Sequence, residues 1–307
     1  MKKFFTLIAL FEISTCAVMA QKQILNGGFE DWGNYDVNST SAAEPRYWHS
    51  FSSASGPLAS LSGDHCFIST DHHSGKYSAA IKACKVLFGV VANGTMTTGR
   101  LNAGAPKADN PANHAELDIN KKDGNGNPYK DNSGDPFYQI LESRPDYISF
   151  WAKFSTGLAG TNANMSAYIT DGTYYQAPED KDKTYNNKIG WAEFPSIVPC
   201  SEWTHFVVPF EYANTDKKPK AILLTFSTSV TPGGGDGSEV LLVDDVELIY
   251  KGDVNGDTNV NINDVVSLVN IILGNQNDYD IYKADVNGDK SVNINDVVTL
   301  VNRILGN

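Results

Sequence analysis

The chain has 307 residues, in which 36 Asp and Glu outnumber 24 Lys and Arg for a formal net charge of −12. That acidic balance argues against a phosphate-backbone partner and so against nucleic acid as the ligand. After the N-terminal apolar run, no stretch approaches the ~18 uninterrupted apolar residues of a membrane-spanning helix.

Lys2 and Lys3 precede an apolar run from Phe4 to Ile13, and "AVMA" ends at Ala20 just before Gln21. This charged, apolar, small-residue order predicts a secretory signal peptide over residues 1–20 and a secreted or cell-surface product. Cys16 in "ISTC" offers a second route, lipoprotein processing, although Thr15 stands where Gly, Ala or Ser is usual.

Residues 21–250 are rich in aromatics, Gly, Asn, Ser and Thr, in short alternating runs broken by turn residues, which predicts an all-β sandwich or barrel. In "DYISFWAKF" the alternation sends Ile148, Phe150, Ala152 and Phe154 to one face and Trp151 with Lys153 to the other. "MSAYIT" opposes Met165, Ala167 and Ile169 to Tyr168, and "WTHFVVPFEY", "AILLTFSTSV" and "EVLLVDDVELIY" read as further strands. "DINKKDGNGNPYKDNSGDP" and "TPGGGDGSE" read as loops on their Gly, Pro, Asn and Asp content, and the glycines at 233–235 lack the spacing and Lys of a phosphate loop. Cys66, Cys84 and Cys200 show no zinc-ligand spacing. They read as buried thiols with at most one disulfide, whose pairing stays open.

After Tyr250 the period becomes helical. Ile262, Val265, Val266, Val269, Ile272 and Leu273 recur at helical spacing before Gly274, and Ile294, Val297, Val298, Val301, Ile304 and Leu305 repeat them before Gly306. "DVNGDTNVNIND" at Asp253 and "DVNGDKSVNIND" at Asp285 each lead into one of these helices. A hard cation such as Ca²⁺ needs six to eight oxygens, which a loop supplies from alternate positions before a helix fixes the last. The first frame offers Asp253, Asn255, Asp257, the Asn259 carbonyl, Asn261 and Asp264; the second offers Asp285, Asn287, Asp289, the Ser291 carbonyl, Asn293 and Asp296. The bland reading, solvated turns with capping side chains, does not account for two matching frames.

On these residues, 251–307 resembles a type I dockerin, a small all-α module of paired EF-hand-like loops that attaches polysaccharide-degrading proteins to cohesin domains. Asp at position twelve, in place of the Glu of ordinary EF-hands, agrees with that family. Thr258 and Lys290 depart from it at position six, where Gly normally takes the sharp turn. The resemblance implies two bound Ca²⁺ and a cohesin contact through positions ten and eleven, here Ile262 with Asn263 and Ile294 with Asn295. "NGGFEDW", "PRYW", "RPDYISFWAKF" and "EVLLVDDVELIY" resemble the carbohydrate metabolism domain of secreted Bacteroidetes proteins and, at the two ends, jelly-roll carbohydrate-binding modules with a structural calcium. The expected fold is therefore mostly β, a jelly-roll sandwich over 21–250 followed by the dockerin-like module.

If Asp244 shares a strand face with Val246 and Leu248, its carboxylate points into the sandwich, and a third Ca²⁺ between it and Glu30 would compensate it. Sugars stack on flat aromatic faces beside polar side chains, which makes Trp151 and Tyr168 the glycan-binding candidates, with Trp32, Trp48 and Trp203 near strand ends. A lone strand aromatic is more often packing. No nucleophile elbow appears, carboxylate pairing is not visible in sequence, and His65, Asp71, His72 and His73 match no ligand spacing, so catalytic residues stay unknown. The favoured reading is a secreted, non-catalytic glycan-associated protein with calcium-dependent attachment. The alternatives are a glycoside hydrolase or esterase sited in the sandwich loops, and a structural surface or adhesive protein. Only Lys251 and Gly252 separate the last strand from Asp253, and two residues reach at most ~7 Å, so the partner of one repeat is either a cohesin-like domain or the sandwich itself.

Overall fold

Alternating apolar residues in the long strands decide the architecture, because each strand can bury one face and must find a second sheet to bury it against. The structure, a computed structural model, describes residues 23–86 and 89–306. The expected signal peptide and Cys16 lie outside the described residues. The chain divides into two units between Lys251 and Gly252.

In the larger unit, one antiparallel sheet runs in the order Cys66–Ser69, Ser78–Lys82, Val240–Ile249, Tyr147–Ser155, Cys200–Pro209. The other runs Glu211–Tyr212, Lys188–Ile197, Ala163–Thr170, Ala221–Ser227, Thr95–Thr97, with Gln139–Ile140 paired to the Ala221 strand. This is the expected jelly-roll sandwich. Ile148, Phe150, Ala152 and Phe154 from the first sheet meet Met165, Ala167, Ile169 and Phe226 from the second in one buried core. Phe29 and Trp48 join it, their rings 5.2 Å apart. A smaller sheet of Tyr175–Ala177, Asn113–Leu117 and Arg100–Ala103 covers part of the second sheet's outer face, burying Leu101, Leu117 and Tyr175 with Ala221 and Leu223. Cys66, Cys84 and Cys200 are free thiols.

The last strand breaks its alternation. Its pairing with Tyr147–Ser155 shifts between Asp244 and Glu247, and Asp245 takes φ +46°, a bulge. Val243, Val246 and Leu248 are therefore all in the core, while Asp244 pairs with Trp151 on the outer face. The assumption that Asp244 shares the face of Val246 and Leu248 is corrected by that one extra residue.

The C-terminal unit contains helices Ile262–Ile272, Ile281–Ala284 and Ile294–Leu305. Asn261 with Asp264, and Asn293 with Asp296, form capping boxes at the two long helices. Gly274 and Gly306 take the left-handed conformation past their ends, at φ +73° and +77°. The core is Val254, Leu268, Ile271, Ala284, Val286 and Leu300, with Val265, Val297 and Ile304 partly buried. The apolar stripe read at helical spacing is thus divided between the core and the surface. Ile262, Val266 and Leu273 are 64%, 57% and 69% exposed, and Ile294, Val298 and Leu305 match them at 62%, 55% and 67%. Each helix is apolar on two sides, and the count of apolar positions alone does not say which side packs inward.

Candidate functional site

Each loop of the C-terminal unit winds around a carboxylate at its last position. Asp264 Oδ1 accepts from the Asn255 N–H at 3.1 Å and Oδ2 from Asn261 at 2.8 Å. Asp296 does the same with Asn287 at 3.1 Å and Asn293 at 2.9 Å. Asn255 and Asp257 cap successive turns through the N–H groups of Asp257 and Asn259, as Asn287 and Asp289 do for Asp289 and Ser291. The Asn259 and Ser291 carbonyls accept from the Asn261 and Asn293 amides. Thr258 and Lys290 both sit at φ +69°, the left-handed turn their positions demand.

The loops differ at position one. Asp285 Oδ1 accepts from Gly288 and Asp289, and Oδ2 from Lys290. Asp253 is 2% exposed, and its Oδ1 is buried without a hydrogen-bond partner. Burial pushes the Asp253 carboxyl up, the Lys283 ammonium opposes this, and the neighbouring acids Asp264 and Asp257 add to the rise. Burial also raises Asp264. An orphaned, desolvated carboxylate oxygen costs about 1–3 kcal/mol or more. A cation at the centre of the loop would relieve it, so these donors fit the hard ion that the sequence frame implies. Ile262, Asn263, Ile294 and Asn295 are all exposed on the first turns of the helices.

The sandwich residues named from sequence do not assemble at one place. Asp244 is fully buried, yet its Oδ2 accepts from the N–H groups of His73 and Ser74, and its Oδ1 from Asp245. Burial, offset by these donors, leaves its carboxyl pushed up to about 6. Glu30 is exposed and holds the N–H groups of Lys76 and Tyr77. The two acids thus both hold the 73–77 loop through backbone donors. Trp32 and Trp48 are core, at 3% and 0% exposure, and do not line a site. His65 is buried on the Lys82 and Ser62 carbonyls, away from any ligand role with His72 and His73.

Trp151 and Tyr168 lie on the outer faces of different sheets, so one glycan site cannot use both. His73, anchored on Asp244 and Asp245, stacks on Trp151 at 3.7 Å from the side of the Val240 strand. His205 stacks at 4.8 Å from the neighbouring strand on the other side. Both faces of the indole are therefore covered by imidazoles. Beside them Asp71 accepts from Lys153 and from the Trp203 indole at 3.0 Å.

The second sheet presents a different surface. Tyr168 pairs with Trp191, and the next row along the sheet is Glu193, Ser166 and Thr225. The Tyr168 hydroxyl donates to Glu193 at 2.5 Å, and burial with that carboxylate pushes its pKa up. Lys188 Nζ lies 5.9 Å from the Tyr168 ring and 5.4 Å from the Trp191 ring, tethered to Glu179 at 2.6 Å. Partly exposed aromatics beside a carboxylate, an ammonium and hydroxyls offer both ring and hydrogen-bonding surface. Trp191 is missed from sequence because "KIGWAEFPSI" does not read as a strand there, although Trp191 and Glu193 alternate with Gly190, Ala192 and Phe194 and carry the signal.

Residues 251–305 match the Dockerin type I domain family, which bears out the resemblance of the C-terminal unit, and type I dockerin domains bind calcium. No curated protein matches the chain. Among solved structures, a candidate glycoside hydrolase of Bacteroides thetaiotaomicron is 15% identical over 73% of this chain and 70% of its own, with a TM-score of 0.51. A second candidate glycoside hydrolase, from Bacteroides vulgatus, is 17% identical over 71% of this chain and 90% of its own, at 0.46. A carbohydrate-binding module in complex with β-1,4-galactotriose is 10% identical over 74% and 97%, at 0.32. At such identities the first likeness shows the fold, and the chemistry must come from the residues.

Proposed function

We propose that this chain is a secreted, glycan-associated protein whose sandwich binds carbohydrate and whose C-terminal unit attaches it to a cohesin-like domain in a calcium-dependent way. The observation that carries the reading is the dockerin match over 251–305 together with the orphaned carboxylate oxygen of Asp253 at its first ligand position. One Ca²⁺ per loop would be held by Asp253, Asn255, Asp257, Asn259, Asn261 and Asp264, and by Asp285, Asn287, Asp289, Ser291, Asn293 and Asp296. The ion supplies charge compensation. The chain's own residues set the loop, through the N–H groups held by Asp264 and Asp296 and the left-handed turns at Thr258 and Lys290.

Ile262 with Asn263, and Ile294 with Asn295, begin the exposed apolar stripes of the two helices, which suits a protein partner that covers them. For the glycan, Trp191 and Tyr168 supply ring surface, and Glu193, Ser166 and Thr225 supply hydrogen-bond partners. Trp151 is set aside as a stacking platform because both of its faces are taken. A glycan-binding screen run beside a reducing-sugar release assay tests the reading. Binding without release is expected, release of sugar would favour the hydrolase, and neither would favour a structural surface protein.

A further inference from the structure

Glu44, His49 and Asp131 offer ligand atoms that all lie within 4.8 Å of one another in the sandwich unit. His49 is fully buried, and its Nε2 lies 3.2 Å from the Pro136 carbonyl, which can only accept. The ring proton therefore sits on Nε2, and Nδ1 keeps its lone pair, the arrangement that orients a metal-ligating histidine. That lone pair faces Asp131 Oδ2 at 3.7 Å and the Ser53 hydroxyl at 3.5 Å. A separation of 3.7 Å is too long for a hydrogen bond. Two ligands bound at ~2.1 Å to one tetrahedral ion stand ~3.4 Å apart, close to what is seen.

The carboxylates are fixed by donors of their own. Glu44 Oε1 accepts from the N–H and hydroxyl of Ser50 at 2.6 and 2.7 Å and from those of Ser53 at 3.2 and 3.1 Å. Asp131 Oδ1 accepts from Ser133 at 2.9 Å and Asp135 at 2.7 Å. The neighbouring cations are spent elsewhere. Arg46 grips Asp135 with two bonds of 2.6 Å, and Arg100 donates to the Ser53 and Ala54 carbonyls and the Tyr129 hydroxyl.

A tandem repeat isolates what is special about Asp131. "KDGNGNPY" at 122–129 and "KDNSGDPF" at 130–137 form the same turn, with Asp123 N–H on the Asn127 carbonyl and Asp131 N–H on the Asp135 carbonyl, both at 2.9 Å. In the first copy Asp123 is half-buried and caps the turn through the N–H groups of Asn125 and Asn127. The second copy forms the same turn but brings the Asp131 side chain, 7% exposed, against His49.

We propose that Glu44, His49 and Asp131 bind one transition-metal ion of the zinc class, which ties the 130–136 turn to the Glu44–His49 segment. Imidazole with two carboxylates suits such an ion better than calcium, which takes oxygens. The test titrates Zn²⁺ into the full chain with calcium in excess, read by calorimetry, with Co²⁺ absorption as a second probe. About one Zn²⁺ per chain is expected, retained when Asp253 and Asp285 are both changed to Ala. His49→Gln should abolish it. Asp131→Asn, whose amide oxygen still caps the turn, should weaken it by at least about tenfold with an unchanged circular dichroism spectrum. No stoichiometric zinc uptake, binding lost in the Asp253/Asp285 variant, or affinity unchanged in Asp131→Asn would overturn the site.

Discussion

Thr258→Gly is expected to stabilise the C-terminal unit. Thr258 occupies loop position six at φ +69°, and a β-branched residue is among the least tolerant of that region. The left-handed conformation costs an L-residue about 1–2 kcal/mol, and glycine escapes it. Against that, glycine gives the unfolded chain more freedom, a loss of about 0.4–1 kcal/mol. The net gain is ~0.5–1 kcal/mol, and the backbone N–H that Thr258 offers to Asp253 is retained. For a unit of this size the gain corresponds to a rise of roughly 3–6 °C in the melting temperature of the C-terminal transition, read by calorimetry with calcium present. Lys290→Gly should act in the same direction but more weakly, since Lys290 is not β-branched though it shares the φ of +69°. A lower melting temperature for Thr258→Gly, or a larger gain for Lys290→Gly, would refute the strain argument.

Trp191→Ala should weaken glycan binding at least about tenfold, since a lost stacking aromatic typically costs more than 1 kcal/mol, whereas Trp151→Ala should leave affinity alone and lower stability by about 1–2 kcal/mol through its lost imidazole contacts; calorimetric binding and urea unfolding separate the two. Arg46→Met leaves Asp135, 2% exposed, with a buried carboxylate held only by the Tyr47 N–H, and should cost about 2–3 kcal/mol in urea unfolding. Asp244 holds its proton up to about pH 6 in the folded chain. Between about pH 4 and 6 the unfolded chain has lost that proton and the folded chain keeps it, so sandwich stability should fall as pH rises across this window, by at most ~1.4 kcal/mol per unit, and Asp244→Asn should flatten the slope.

What could be read from sequence was what short-range periodicity encodes. "DYISFWAKF" gave its buried and outward faces because alternation is local, and the twin Asp/Asn frames gave both loops because each is closed within twelve residues. The failures share a cause, which is contact between distant segments. Trp151 does lie on the polar face, but the loop that carries His73 folds over it from another part of the chain. Asp244 was assigned to the wrong face because a single bulge residue at φ +46° inverts the count. Trp48 looked like an end-of-strand aromatic and is core, since its ring meets Phe29 and Phe226 from other segments. The helix that carries the exposed stripe from Ile262 to Leu273 has a second apolar face at Leu268 and Ile271, and helical spacing alone does not say which of the two packs inward.

The central claim, that the C-terminal unit is organised by calcium, is tested most directly by titrating Ca²⁺ into the chelator-treated full chain while following bound ion and helical circular dichroism together. Two Ca²⁺ per chain are expected, with helical signal rising as they bind, and with one lost when Asp253 and Asp264 are changed to Ala and the other when Asp285 and Asp296 are. A chain that binds no Ca²⁺, or whose helical signal and protease pattern are identical with and without chelator, would contradict the account.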